Sequence, residues 1–249
     1  MQVVILTALG IGGATLIGAI IGFFFKNMSH KFSDIVLSFA AGVMLAAAIL
    51  GLILPSVEYD NVFVTIIGIF LGALMLNLID KIVPHLHNMA GGKEESHPHN
   101  SERINKVLLF VLAIAIHNFP EGIAAGVGFG TGNMGDAFVI AGGIALQNIP
   151  EGMVIIAPML ASGISARRTF IYAALTGVIE VIGTLIGYFA ITVSTAILPF
   201  ALAFAGGTML YVISDEMIPE THSHGAACGS TYSLLAGFCL MLLFDVFLG

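Results

Sequence analysis

Apolar stretches alternate with short polar breaks along the whole chain. Eight of them run from Val3 to Phe25, Ile35 to Leu54, Val62 to Ile79, Val107 to Phe129, Ala137 to Leu160, Phe170 to Ala190, Ala196 to Ile213 and Tyr232 to Leu248. A hydrocarbon core of about 30 Å takes about 20 helical residues to cross, so each stretch predicts a transmembrane helix. Only Asp80 to Lys106, which includes GGKEESHPHNSE, is a long polar connection, too hydrophilic to span. The pattern predicts an all-α integral membrane protein of eight transmembrane helices, residues 1 to 249 forming one transmembrane domain.

Composition agrees. The chain is 58% hydrophobic and 9% charged, with a mean hydropathy of +1.03, against roughly 25% charged residues in a soluble domain. The first stretch has no basic residues before it and no evident small-residue cleavage site, so it is read as a span and not as a signal peptide.

Charge sets the expected orientation. All eight Lys and Arg residues (Lys26, Lys31, Lys81, Lys93, Arg103, Lys106, Arg167, Arg168) fall in or beside the first, third and fifth connections. The positive-inside rule makes that side cytoplasmic and turns both termini outward. The opposite face carries Glu58, Asp60, Asp136 and Asp245 and no cation, a sign that attracts cations weakly. Two cysteines, Cys228 in the seventh connection and Cys239 in the last span, make no disulfide framework.

Two motifs break the apolar pattern inside adjacent spans. HNFPEG (His117 to Gly122) and QNIPEG (Gln147 to Gly152) stand thirty residues apart. On a helix His117, Asn118 and Glu121 share one face, and Gln147, Asn148 and Glu151 repeat the arrangement. The fourth span centres at Asn118, the fifth near Asn148 and the sixth at Glu180, so three neighbouring helices put carboxylates at mid-membrane.

An ionised carboxylate there costs about 2.5 to 3.5 kcal/mol on insertion scales, and no Lys or Arg lies in any span. The compensating charge has to come from protons, water-filled surroundings or bound cations. One imidazole nitrogen among several oxygens suits borderline divalent ions, Zn²⁺ and also Fe²⁺, Mn²⁺ or Cd²⁺; an all-oxygen set would suit Mg²⁺ or Ca²⁺. Pro120 and Pro150 deprive the carbonyls of Ile116 and Leu146 of their helical donors, which is tolerated at depth where the freed carbonyl lines a cavity or meets an ion. Taken singly, each residue has a packing explanation. Their duplication at one depth argues for a site. The glycine pairs Gly18/Gly22, Gly68/Gly72, Gly122/Gly126 and Gly183/Gly187 are credited to close helix packing.

The paired motifs, eight spans, the His-containing third connection and ISDEMIPETH (Ile213 to His222) resemble the ZIP (Zrt-, Irt-like protein) family of divalent metal transporters, in particular its bacterial GufA-like branch. The resemblance implies uptake of Zn²⁺ and related ions into the cytoplasm through a binuclear site on the fourth and fifth helices. It also implies inverted repeats of helices 1–3 and 6–8 around them, elevator-like alternating access, a homodimer and an inner-membrane location. Matched by position, His117, Glu121, Gln147 and Glu151 would hold one ion. Asn118, Asn148 and Glu180 would hold the second with both motif glutamates bridging, and Asp215 with Glu216 would mark the cytoplasmic exit.

Many members have histidine where this chain has Gln147, which weakens the nitrogen character of the site; the expected order is Zn²⁺, then Cd²⁺ as a chemical mimic, then Fe²⁺ or Mn²⁺. Seven of the eight histidines (His30, His85, His87, His97, His99, His222, His224) lie outside the spans on the inner side, where they would catch leaving metal or sense its level. No G-x-x-x-x-G-K-[ST] loop occurs, so transport would run on gradients without nucleotide. The rival readings are a selective ion channel and an intramembrane metalloenzyme; H-E-x-x-H is absent and H-x-x-x-E leaves no separate general base, so no enzyme is expected.

Overall fold

The computed structural model describes residues 1–26, 28–59, 62–82, 100–225 and 227–248, with their side chains except at Asp80, Ile82 and residues 100–113. Within them run eight long helices: α1 (Gln2–Phe24), α2 (His30–Tyr59), α3 (Val62–Ile82), α4 (Asn100–Gly128), α5 (Met134–Ala161), α6 (Ala166–Val193), α7 (Thr195–His222) and α8 (Ala227–Leu248). Among the described residues, α1, α2, α3, α5, α6, α7 and α8 each contain an apolar stretch long enough to cross a membrane. The fourth expected span, Val107 to Phe129, falls almost wholly inside α4. The chain is therefore a multi-pass membrane protein.

Several helices outrun the apolar windows that predicted them. α2 starts at His30 instead of Ile35 and continues past Leu54, and α7 continues to His222 instead of ending at Ile213. α4 begins at Asn100, inside what reads from sequence as a polar connection over 80–106, and Cys228 lies in the first turn of α8 instead of a loop. Local signals explain some of these ends. The Ser29 hydroxyl caps α2 by accepting from Phe32 N–H at 3.3 Å, and the Asn133 side chain caps α5 by accepting from Gly135 N–H at 2.8 Å. α5 ends at Ala161, and just beyond it Gly163 turns the chain with a φ of +83° that suits glycine, while Ile164 N–H reaches back to the Met159 carbonyl at 3.2 Å.

Two helices survive a proline by widening. α2 passes through a π-helical turn at Ala47–Ile53 just before Pro55, and α7 through another at Ile213–Met217 just before Pro219. A π turn absorbs one extra residue and changes the phase of the side chains beyond it. α4 and α5 instead run unbroken through Pro120 and Pro150.

The helices pack in a paired scheme. α4 lies on α6 and α1 on α5, with α1 crossing α6; α3 lies on α7 and α2 on α8. This makes two groups, α1/α4/α5/α6 and α2/α3/α7/α8, which meet mainly where α2 touches α5 and α4 touches α7. Glycines set every one of the close pairs. A Cβ at Gly122 or Gly126 of α4 would strike the carbonyls of Glu180 or Thr184 on α6, and one at Gly183 or Gly187 would strike Phe119 or Ile123 on α4. Gly18 and Gly152 play the same part between α1 and α5, Gly72 and Gly207 between α3 and α7, and Gly42 and Gly237 between α2 and α8. α1 and α6 cross glycine to glycine, at Gly12 and Gly177. In lipid, where apolar contact alone gives no preference for protein over solvent, such close backbone approach supplies the packing energy.

Candidate metal centre

α4, α5 and α6 bring their polar residues together in the interior of the first group. Asn118, Glu121, Gln147, Asn148 and Glu180 are all buried, Glu180 completely, while His117 and Glu151 are partly buried. The motif glycines explain how α4 and α6 approach so closely here, since Gly122 seats the backbone of α6 at Glu180 itself.

Glu121, Glu151 and Glu180 lie close enough to one another for their charges to repel, and His117 stands near Glu121. Lys26, Lys31, Lys81, Arg167 and Arg168 are exposed, away from this interior. Asn148 Nδ2 donates to Glu180 Oε1 and also, at 3.3 Å, to the Ile11 carbonyl of α1. The Thr15 hydroxyl of α1 donates to Glu180 Oε2 at 3.3 Å. Neither Ile11 nor Thr15 is marked by the sequence pattern: a lone threonine in an apolar helix reads as packing, and a backbone carbonyl leaves no trace in composition.

Several buried polar oxygens in this cluster lack a hydrogen-bond partner: Glu121 Oε2, Asn148 Oδ1 and Gln147 Oε1, the carboxamide of Gln147 lying beside Glu121. Unpaired buried polar atoms are costly and call for an explanation. Among the described residues no three His, Cys, Asp or Glu side chains already converge as a ready ligand set. The cluster thus combines three carboxylates with amide oxygens whose valences are open.

The residues expected on the cytoplasmic side divide. Glu216, in the π turn of α7, meets His117 Nε2 at 3.0 Å, so it joins His117 of α4 to the second helix group; its neighbour Asp215 is exposed. His222 is held in the corner between α7 and α8, its Nδ1 at 2.8 Å from the Ile218 carbonyl and its Nε2 at 3.2 Å from the Thr231 hydroxyl. His224 meets Asp34 at 3.2 Å and stacks on His30 with ring centroids 5.0 Å apart. His85, His87, His97, His99 and Asp60 lie outside the described residues.

An eight-helix membrane chain that gathers histidine, amides and three carboxylates in its interior, with no lysine or arginine beside them among the described residues, has the makings of a cation pathway. Comparison with known proteins gives the family. Residues 93–245 match the family model described as ZIP Zinc transporter. The chain is similar to zinc transporter GufA of Myxococcus xanthus (43% identical, covering 73% of this chain and 70% of that one). It is similar also to zinc transporter ZIPB of Bordetella bronchiseptica (35% identical, 95% and 78% covered) and to zinc transporter ZupT of Chlorobaculum parvum (35% identical, 92% and 91% covered). The chain belongs to the ZIP family, as a GufA-like member.

Proposed function

We propose that this protein is a secondary transporter that carries divalent transition-metal ions, Zn²⁺ foremost, into the cytoplasm. The observation that carries the reading is the set of unpaired buried oxygens, Glu121 Oε2, Gln147 Oε1 and Asn148 Oδ1, among three carboxylates with no lysine or arginine partner among the described residues. A divalent cation would satisfy both the open valences and the charge. The names of the relatives, zinc transporters throughout, support Zn²⁺ as the substrate.

In this reading His117, Glu121, Gln147 and Glu151 hold one ion, and Asn118, Asn148 and Glu180 hold another, with Glu121 and Glu151 bridging. Ion entry draws these side chains inward. His117 has to exchange Glu216 for the metal, which makes Glu216 the first group on the exit side; Asp215, His222 and His224 lie further along. Cd²⁺ competes as a softer mimic, then Fe²⁺ and Mn²⁺, the carboxamide of Gln147 lowering the preference for zinc.

The transport step is a rigid-body movement of α1/α4/α5/α6 against α2/α3/α7/α8. The pairing of helices supports an internal two-fold in which α1, α2 and α3 correspond to α6, α7 and α8, and α4 to α5. Under that exchange each close pair maps onto another, and the π turn before Pro55 answers the π turn before Pro219. A single transporter domain in the inner membrane, acting as a homodimer, completes the proposal.

The test is Zn²⁺ uptake into proteoliposomes, wild type beside Glu121→Gln, a near-isosteric change that removes the charge. Saturable wild-type uptake with loss of nearly all of it in the variant is expected. Equal uptake by both proteins would sink the site; large unsaturable currents would make the protein a channel.

A further inference from the structure

We propose that α1 is the orienting wall of the second ion site and that Thr15 is a positioning residue for metal binding; this rests on the reading of Glu180 and Asn148 as ligands. The two α1 groups act on different ligands. Thr15 holds one oxygen of Glu180. The Ile11 carbonyl, one turn earlier, takes an N–H of Asn148, whose amide nitrogen also serves the other oxygen of Glu180.

The chemistry fixes the direction of the amide. With two acceptors at its nitrogen, Asn148 cannot turn its oxygen toward them without setting oxygen against oxygen. Its Oδ1 is therefore presented into the cluster, where it has no partner. Glu180, tethered at Oε2 by Thr15 and at Oε1 by Asn148, keeps one carboxylate orientation in the absence of an ion. The Gly12 to Gly177 crossing brings the backbones of α1 and α6 together one turn from Thr15 and Glu180, which is why a side chain as short as threonine reaches the carboxylate. Hydrogen-bond partners behind metal ligands typically account for about 10- to 100-fold in affinity or activity.

The experiment uses full-length protein in nanodiscs and measures equilibrium Zn²⁺ and Cd²⁺ binding by competition with a chelating dye. Uptake KM and kcat are measured in proteoliposomes. Thr15→Val keeps the shape and removes the donor. Thr15→Ser keeps the donor and removes the methyl. Glu121→Gln and Glu180→Gln test the underlying site. Thr15→Val is expected to weaken binding about tenfold or more and to raise KM, with Thr15→Ser close to wild type. Wild-type affinity in folded Thr15→Val, while both glutamate variants lose binding, overturns the role of Thr15 and leaves the site intact. Unchanged binding in both glutamate variants overturns the site itself. Equal weakening in Thr15→Val and Thr15→Ser assigns Thr15 to packing and also overturns the proposal. Should Thr15→Val not fold, Thr15→Ala is read by the same criteria.

Discussion

At the scale of single residues, the chemistry of the proposed site turns on Gln147. Its carboxamide is completely buried beside Glu121, with its oxygen unpaired. Replacing it by imidazole adds a nitrogen donor where an amide now stands, which favours Zn²⁺ over Mn²⁺. In Gln147→His the Zn²⁺ concentration that halves Mn²⁺ uptake should therefore fall, on the order of tenfold or about 1.4 kcal/mol. Competition uptake measures this directly, and an unchanged or reversed order of preference would remove Gln147 from the ligand set. Residues like these were legible in the sequence because a polar side chain in the middle of an apolar span has few innocent explanations. Thr15 was not, since it differs little from its apolar neighbours. The meeting of His117 with Glu216 was not legible either: it joins helices about a hundred residues apart and depends on the phase of the π turn at Ile213–Met217, which no hydropathy pattern encodes.

At the scale of helices, the glycines separate packing positions from permissive ones. A Cβ at Gly122 meets the Glu180 carbonyl, backbone against backbone, and neither side can yield without moving a helix. At Gly142 nothing lies within 4 Å. Gly122→Ala should destabilise the protein by about 1 to 3 kcal/mol, the usual range for overpacking, and shift Glu180 within the cluster. Gly142→Ala should be neutral or slightly stabilising through helix propensity. Thermal unfolding in detergent, with Zn²⁺ binding on the same samples, tests both; a tolerant Gly122→Ala would mean that α4 and α6 are not so tightly apposed. The number and order of helices were legible because length and hydropathy alone fix them. Their ends were not. The windows closed at Ile35 and Ile213 because polar residues such as Ser33, Asp34, Asp215 and Glu216 lower the local hydropathy, while the backbone stays helical through them.

At the scale of the whole molecule, the two helix groups predict how motion and transport are linked. If the groups move as bodies, a covalent tie between them should stop transport, whereas a tie within one group should not. Ala47 on α2 and Gly143 on α5 offer the first kind. A Cβ at Gly143 would stand 3.4 Å from that of Ala47, close to the spacing of a disulfide, with only the flexible end of Met241 to displace. Ser56 and Thr65, whose hydroxyls are 2.8 Å apart, offer the second kind within α2/α3/α7/α8. Both cysteine pairs would be built in a background lacking Cys228 and Cys239. Oxidation of Ala47→Cys/Gly143→Cys should abolish Zn²⁺ uptake and a thiol reductant should restore it, while oxidised Ser56→Cys/Thr65→Cys should retain most of its uptake. Full activity in the oxidised inter-group pair would show that α5 need not slide along α2, and the ion would then pass by local gating inside a static bundle.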